Sequence, residues 1–265
     1  MTSNNLKVRS LHALSVNCRV VIALILRETK TRFGKHKLGY LWAVIEPVSY
    51  IIILLLVRTF LSAGSYFDEA IYVFVLTGIL IFRLFRAIVG RTMSAISANK
   101  ALLSYPIVKP NDAITARIIL ESITMLIVLA VFFSLLSYFT ESTIIHHPNR
   151  FFSAIGATVL LAAGIGTFNS VFSVLFPFWE RLWGMISLPL LLLSGIFYVP
   201  RSLPPGAQSV LQWNPVLNCI EWLRYGTYLS YDPLLSEQYV LYVGLLFLAI
   251  GLFLERRFRH ILVQS

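Results

Sequence analysis

Residues 31–47 read Thr-Arg-Phe-Gly-Lys-His-Lys-Leu-Gly-Tyr-Leu-Trp-Ala-Val-Ile-Glu-Pro and change from cationic to apolar halfway along. The first half carries Arg32, Lys35 and Lys37, and the second half leads into an almost wholly apolar run. Lys and Arg are retained on the cytoplasmic side of a membrane span, whereas Tyr and Trp favour the headgroup layer. We therefore predict that the chain enters a membrane here, with the three cations inside and Tyr40 at the interface.

The composition of the 265-residue chain is typical of a membrane protein. Hydrophobic residues make up 57% and charged residues 13%, which leaves too little polar surface to cover a soluble globule. The net charge of +10 is concentrated at the two ends and in short loops, a pattern that indicates membrane orientation rather than nucleic-acid binding. No signal-peptide cleavage site follows the first apolar run, so we expect the N-terminus to be retained.

Apolar stretches of roughly 20 residues, long enough to cross the hydrocarbon core, occur about six times. We predict one all-helical transmembrane domain over residues 1–265. A preceding amphipathic helix, residues 11–33, either lies flat at the cytoplasmic interface or packs on protein. The predicted spans are residues 38–61, 70–90, 113–138, 151–176, 182–199 and 238–254.

Lys and Arg are distributed unevenly between the two predicted sides of the membrane. Residues 1–37 contribute eight of them, and further cations follow the second and sixth predicted spans. The three opposite loops offer three cations against six acidic residues. This bias predicts that both termini are cytoplasmic. The two cysteines then fall on opposite sides, and no disulfide is expected.

Residues 200–237 are too polar to span the membrane, yet they are rich in aromatic residues and divided by prolines. We predict one or two short re-entrant helices on the outer side, which a membrane tolerates when their backbone is buried in protein. The predicted fourth span carries small residues that allow helices to approach closely. They are Gly156, Ala162, Ala163, Gly164 and Gly166.

No nucleotide-binding loop, Cys/His metal spacing or Ser/His/Asp set is recognisable in the sequence. His146-His147 in an outer loop is expected to be solvated rather than to ligate a metal. We predict that the chain is not an enzyme by itself and holds no cofactor. If ATP drives its function, ATP and Mg²⁺ must be bound by a separate polypeptide.

Arg83 and Arg86 are one helical turn apart and therefore share a face of the predicted second span. In lipid, each would cost about 2.5–3.5 kcal/mol near the centre of the membrane. One interpretation is a cationic track for an anionic substrate, extended by Arg58. In the alternative, Arg86 reaches the inner headgroups and Arg83 pairs with Glu46 or Glu121.

Aromatic residues make up 14% of the chain and are crowded into the first two predicted spans. A membrane belt is their default role. The alternative is a lining along which sugar rings slide, and we assign Trp42, Tyr50 and Phe82 to such a substrate path. In the third predicted span, Arg117 and Glu121 stand four residues apart and are expected to pair with each other.

The run from Arg27 through Leu38-Gly-Tyr-Leu-Trp to Glu46-Pro47 resembles the start of ABC-2 type exporter permeases. Within that family it is most similar to the capsular polysaccharide export permeases of the KpsM type. Trp213-Asn-Pro, Glu221 and Arg224 add to the resemblance, which covers nearly the whole chain. It implies a homodimer in the bacterial inner membrane, with a passage between the first and fifth spans of opposing copies.

The same resemblance implies the cargo and the partners. The cargo would be a lipid-linked acidic capsular polysaccharide, moved outward by two ABC ATPase subunits below the permease. A periplasmic co-polymerase and an outer-membrane export protein would be further partners.

Residues 91–112 resemble the coupling helix that fits a cleft in the ATPase of ABC-2 transporters. The sequence itself shows only a short amphipathic inner helix stopped by prolines. The alternative is a helix that lies at the lipid interface. The residues similar to the family pattern are Asn99, Leu103, Tyr105, Pro106 and Lys109.

Other functions are open at this point. Within the family, the cargo could be O-antigen, teichoic acid or a small amphiphile. Polymer export predicts a wet aromatic and cationic tunnel, whereas drug export predicts an apolar pocket open to the bilayer. A secondary carrier driven by ions would usually show inverted repeats and a carboxylate at mid-membrane, and the sequence shows neither. A structural protein without transport activity would not explain the presence of Arg83 inside a predicted span.

Overall fold

The structure, a computed structural model, describes residues 2–33, 45, 49, 69–140 and 144–264. Of the predicted first span, residues 38–61, the structure describes only Ile45 and Ser49. Six residues given roles in the sequence analysis lie outside the described residues, so those roles stay predictions. They are Lys35, Lys37, Tyr40, Trp42, Tyr50 and Arg58.

The regular structure of the described residues is entirely helical. A 3₁₀ turn at Pro200–Ser202 accompanies ten α-helices. In chain order these are α1 Thr2–Phe33, α2 Glu69–Met93, α3 Ala95–Ala98, α4 Lys100–Leu103, α5 Pro110–Thr140, α6 Pro148–Leu175, α7 Trp179–Leu192, α8 Pro205–Leu211, α9 Pro215–Thr227 and α10 Glu237–Gln264.

Four of the described helices are long and apolar enough to cross a membrane. They correspond to the second, third, fourth and sixth predicted spans. The total of six spans stays a prediction, because most of the first span lies outside the described residues and the helix at the fifth is not among these four. The four segments are Val73–Met93, Pro110–Tyr138, Pro148–Leu175 and Glu237–Val263.

The helix at the predicted fifth span differs from the prediction of residues 182–199. Helix α7 ends at Leu192, and its 14 residues extend only about 21 Å. Shortly afterwards the chain turns at Gly195, whose φ of 69° lies in the left-handed region that favours glycine. The apolar run therefore continues past the end of the helix, and hydropathy alone does not reveal the turn.

Helix α1 is longer than predicted, because it begins at Thr2 and continues to Phe33, with the backbone of Arg32 in its last turn. It packs on α5, and Leu24 is buried. This part of α1 therefore contacts protein, and its predicted position at the membrane interface stays a prediction. Ile22 and Leu26 are exposed on the same helix.

The central helix of the bundle is α6, which packs against α10, α2 and α9. Close packing through small residues is confirmed at Gly164, where an added Cβ would overlap the carbonyl oxygen of Gly244 on α10. At Gly251, an added Cβ would lie 2.7 Å from the backbone nitrogen of Phe168. Gly156 has open space around it and does not take part in this packing.

Apolar side chains cover the outward faces of α5 and α10, as expected for helices in contact with lipid. Exposed examples are Ile123 and Ile127 on α5, and Leu245 and Phe253 on α10.

Helix α9 is buried along nearly its whole length, although it lies within the polar stretch of residues 200–237. The same stretch contains the 3₁₀ turn and α8. A backbone enclosed in protein meets the condition under which a re-entrant helix is tolerated.

The described bundle has two ends. The α9 end contains α9 and the start of α2, which are joined through Arg224 and Phe74. The α4 end contains α3, α4 and the last turns of α10, where Leu103 and Leu262 belong to one buried cluster.

Candidate functional site

A buried ion pair organises the α9 end. Arg224 and Glu221 are both 0% exposed, and Nη1 of Arg224 lies 3.1 Å from Oε1 of Glu221. The guanidinium also donates hydrogen bonds to the carbonyl oxygens of Gly195 at 2.8 Å and Phe74 at 3.1 Å. Its carbon lies 3.4 Å from the centre of the Phe74 ring. Arg224 therefore joins α9 to α2 and to the turn that follows α7.

The carboxylate of Glu221 fixes the chain after α9. Its Oε1 accepts a hydrogen bond of 2.8 Å from the hydroxyl of Tyr231, and its Oε2 accepts one of 3.1 Å from the backbone nitrogen of Leu234. Burial, and secondly the negative charge of Glu221, raises the pKa of Tyr231 above its ordinary value. The tyrosine therefore keeps its proton and acts as a donor at physiological pH.

Two asparagines complete this polar network. Asn214 caps α9 by accepting a hydrogen bond of 3.0 Å from the backbone nitrogen of Val216, and its amide donates to the carbonyl oxygen of Leu193 at 3.1 Å. The buried Asn218 accepts a hydrogen bond of 2.7 Å from the backbone nitrogen of Ser236. The segments on both sides of α9 are thus attached to it.

Glu221 and Arg224 are two of the charged residues on the predicted outer side, within the stretch of residues 200–237, and the structure buries both. Each charge has an ionic partner and further hydrogen bonds inside the protein, which allows both to be buried. The spacing of three residues within a short, otherwise mostly apolar helix was the available signal for an intrahelical pair.

The two adjacent histidines also attach to α9. Nδ1 of His146 lies 2.7 Å from the carbonyl oxygen of Thr227, and the backbone nitrogen of His147 donates to the carbonyl oxygen of Gly226 at 2.9 Å. His146 is exposed, as predicted, but it is also bonded to protein. Across the described residues, no group of His, Cys, Asp and Glu side chains could hold a metal ion.

At the α4 end, the predicted coupling segment separates into buried and exposed parts. Asn99 is 4% exposed and Leu103 is 2% exposed, whereas Tyr105 is 62% exposed. Pro106 is also exposed, and Lys109 is half-buried. Ile107, which is not among the predicted coupling residues, is 63% exposed.

The burial of Leu103 changes the role predicted for it. Its side chain belongs to a cluster that includes Ile96, Ile114, Val171 and Leu262. A docking contact through Leu103 was the wrong expectation, because the side chain points into the protein. It anchors the turn from which Tyr105 projects.

Asn99 likewise makes contacts within the chain. Its Oδ1 accepts a hydrogen bond of 2.8 Å from Arg27 on α1, and its Nδ2 donates to the carbonyl oxygen of Ala95 at 2.9 Å. The side chain of Asn99 is therefore hydrogen bonded within the chain instead of being directed toward an ATPase. That link connects α1 to the segment between α3 and α4.

A second link runs from α1 to α5. Nη2 of Arg117 lies 2.7 Å from Oε1 of Glu28, and its Nη1 donates to the carbonyl oxygen of Arg91 at 2.8 Å. Glu121, the partner predicted from the sequence, lies instead 3.9 Å from Nε of Arg91. The prediction considered only contacts within one helix, whereas α1 brings a carboxylate closer to Arg117.

The predicted substrate path is only partly within the described residues. Arg86 is exposed on α2, and Arg83 is half-buried one turn away. Phe82 is 2% exposed and packs in the main core, so its assignment to an open path is corrected. The side of α2 that carries Phe82 packs against other described helices, whereas Arg86 lies on an exposed side of α2.

Comparison with known proteins adds an independent observation to this geometry. The ABC-2 type transporter family matches residues 19–228. The chain is similar to the polysialic acid transport protein KpsM of Escherichia coli, with 33% identity over 249 residues, or 92% of this chain and 95% of the relative.

Two further relatives cover the same extent of the chain. It is 30% identical to the capsule polysaccharide export inner-membrane protein CtrC of Neisseria meningitidis serogroup B, over 93% of each chain. It is 28% identical to the capsule polysaccharide export inner-membrane protein BexB of Haemophilus influenzae, again over 93% of each chain. With the family matching most of its length and four helices able to cross a membrane, the chain belongs to the ABC-2 type transporter family.

Proposed function

We propose that this protein is the membrane-spanning subunit of an ABC transporter that exports an acidic capsular polysaccharide across the bacterial inner membrane. The observation that carries the proposal is the similarity to capsule export proteins over more than nine-tenths of the chain. One of these relatives is named for the transport of polysialic acid, an acidic polymer. ATP would be hydrolysed by a separate ATPase subunit.

The ATPase would bind at the exposed tip, by which we mean Tyr105, Pro106 and Ile107. Two large apolar side chains are more than 60% exposed there, and Pro106 lies next to the basic last turns of α10. Exposed apolar groups rimmed by polar residues are typical of protein interaction sites. This location supports the role of residues 91–112 as the coupling segment. The contact with the ATPase would involve only the exposed tip, which is fewer residues than the sequence suggested.

Movement of the tip would be transmitted through its buried anchors. Leu103 is packed in the core, and Asn99 is hydrogen bonded to Arg27 of α1. Arg117 attaches α1 to α5 at the same end. A push on the tip would therefore shift α1 and α5 together, which is what coupling to a membrane passage requires.

The passage would lie between two copies of the chain and would carry a negatively charged polymer past α2. Support comes from Arg86, a permanent cation exposed on a helix long enough to span the membrane. Both termini would be cytoplasmic, as the Lys and Arg bias of the sequence predicts. Arg27 of α1 and Leu262 of α10 lie at the same end of the bundle, which supports a common side for the two helices. The homodimer, the co-polymerase and the outer-membrane partner rest on the family resemblance.

The proposal is tested by reconstitution of the chain with its cognate ATPase in proteoliposomes. We expect ATP-dependent movement of a lipid-linked acidic polysaccharide across the bilayer, measured by its accessibility to a polymer-specific glycosidase. An ATPase variant unable to hydrolyse ATP is the matched control and should abolish movement. Transport of a neutral polymer or of a small amphiphile alone would contradict the proposal.

A further inference from the structure

At the α4 end, a groove of about 440 Å³ opens between the turn after α4 and the last turns of α10. The wall formed by the turn is apolar, and the wall formed by α10 carries two arginines, a histidine and the apolar Val263. Its size is within the range of ligand pockets, about 300–1,000 Å³. We call it the basic groove, and its lining includes Leu103, Val108, Val263, Arg256, Arg259 and His260.

The arginines of the basic groove are available to a ligand. Arg256 and Arg259 are exposed, and no hydrogen bond or salt bridge joins either of them to another described residue. Two carboxylates are nearby, but Glu255 and Asp112 are both 5% exposed and sit beneath the surface. Glu255 attracts both arginines without forming a salt bridge to them. The accessible surface of the groove is therefore positively charged.

The apolar wall restricts the kind of anion that fits. A free phosphate ion would contact the guanidinium groups and leave Val108 and Val263 uncovered. A ligand with a phosphate and an adjoining apolar part would use both walls. Anionic headgroups are attracted by basic pockets beside transmembrane helices.

The surface of α10 continues the groove along the span. Leu245 and Ala249 are exposed and share a helix face with Arg256 and His260, because the spacings are four, seven and four residues. Arg256 lies about 10 Å beyond Ala249 along the helix axis. An acyl chain lying along this face would bring its phosphate to the depth of Arg256.

We infer that the basic groove binds the headgroup of an anionic phospholipid from the leaflet in which the α4 end lies. The phosphate is held by Arg256 and Arg259, and the glycerol and first methylenes lie against the apolar wall. Because Leu103 and Val108 flank the exposed tip, the bound lipid ties the tip to α10. This inference does not depend on the identity of the cargo.

Lipid binding to the purified full-length chain tests the inference without ATPase or polysaccharide. The chain in a zwitterionic detergent is titrated with dioleoylphosphatidylglycerol or dioleoylphosphatidylcholine, and bound lipid is counted by native mass spectrometry. We expect retention of phosphatidylglycerol and little of phosphatidylcholine. Arg256→Gln and Arg259→Gln should each weaken phosphatidylglycerol binding about fivefold.

Arg257→Gln is the matched control, because Arg257 is an exposed neighbour of the same charge that does not line the groove. Its phosphatidylglycerol binding should equal that of the unmodified chain. Equal losses for all three variants would reveal general surface attraction and overturn the inference. Val263→Trp fills the groove without removing charge and should also abolish binding.

Two further outcomes would refute the lipid assignment. Full competition by inorganic phosphate would identify the ligand as a free anion. Unchanged lipid binding in Arg256→Gln and Arg259→Gln, together with loss of the ATPase from the complex, would identify the groove as a protein interface. All variants are first compared by size-exclusion chromatography and thermal unfolding, so that misfolding is not mistaken for lost binding.

Discussion

The guanidinium of Arg224 lies 3.1 Å from the carboxylate of Glu221, and neither side chain is accessible to solvent. The pair belongs to one helix, but Arg224 also binds backbone carbonyls that are 29 and 150 residues away in the chain. This single side chain therefore connects three parts of the bundle that the sequence separates widely.

Loss of the Arg224 guanidinium should strongly destabilise the protein. Arg224→Met leaves Glu221 as a buried charge without its ionic partner, which costs about 3–5 kcal/mol. The expected result is a large drop in the free energy of unfolding, measured by thermal or denaturant unfolding in detergent. Glu221→Leu combined with Arg224→Met should cost less than the sum of the two single changes, because no lone charge remains.

The exposed salt bridge between Arg201 and Asp232, with a separation of 3.2 Å, is the control for this experiment. Asp232→Asn should change the stability by less than about 1 kcal/mol. A similar loss in both experiments would show that burial does not set the strength of the Arg224 pair.

Gly226 should not tolerate a side chain. A Cβ at this position would lie 2.5 Å from the backbone nitrogen of Phe151, which cannot rotate away. Gly226→Ala should therefore separate α9 from α6 and cost about 1–3 kcal/mol of stability. Gly206, in α8, has nothing within 4 Å of an added Cβ, so Gly206→Ala should be neutral or slightly stabilising. Equal melting temperatures for the two variants would argue against the close approach.

Substitution at the exposed tip should release the ATPase while the fold is preserved. Tyr105→Asp and Ile107→Asp place charge on an apolar contact surface, and we expect little ATPase to co-purify with either variant. Val210→Asp is the control, since Val210 is also highly exposed but lies on α8. Stoichiometric ATPase on the Tyr105 and Ile107 variants would contradict docking at the tip.

Leu103 should respond differently from its exposed neighbours. Leu103→Ala removes packing from a buried cluster and should cost about 2–5 kcal/mol of stability. The measurement is thermal unfolding of the permease purified without ATPase. An unchanged melting temperature with lost ATPase binding would restore Leu103 as a docking residue.

The link between α1 and the coupling segment should be visible by hydrogen exchange. The backbone amides of Leu102 and Leu103 donate to the carbonyl oxygen of Asn99, at 2.8 and 3.1 Å. Arg27→Ala removes the side chain that holds Asn99 and should speed exchange at both amides, as measured by mass spectrometry. Arg19→Ala, at an exposed position on the same helix, should leave their exchange rates unchanged.

The cationic face of α2 should matter for export and little for folding. Arg83→Leu combined with Arg86→Leu should yield a folded permease that places little polymer on the cell surface, measured with a capsule-specific antibody. Arg181→Leu serves as the control, because Arg181 is exposed on α7 and has no assigned role. Normal surface polymer in the double variant would disprove the cationic track.

Hydropathy predicted four helices that the structure describes, and their bounds differ from the predictions by only a few residues except at the end of α10. The positions of these helices can be predicted because a span is favoured by the summed transfer free energy of about 20 contiguous residues, which the sequence gives directly. The same reasoning missed the end of α7, because a turn inside an apolar run hardly changes its mean hydropathy. The carbonyl oxygen of Gly195 in this turn accepts a hydrogen bond from Arg224, a tertiary contact that hydropathy does not reveal.

Hydropathy was sufficient to identify a helical membrane protein, and the sequence motifs were sufficient to identify the transporter family, because both are properties of residues close together along the chain. The burial of Leu103 beside the exposed Tyr105, and the pairing of Arg117 with Glu28 rather than Glu121, required the three-dimensional contacts. Such choices depend on which helices meet in space. Burial and ion pairing follow from those contacts, which a linear pattern does not encode.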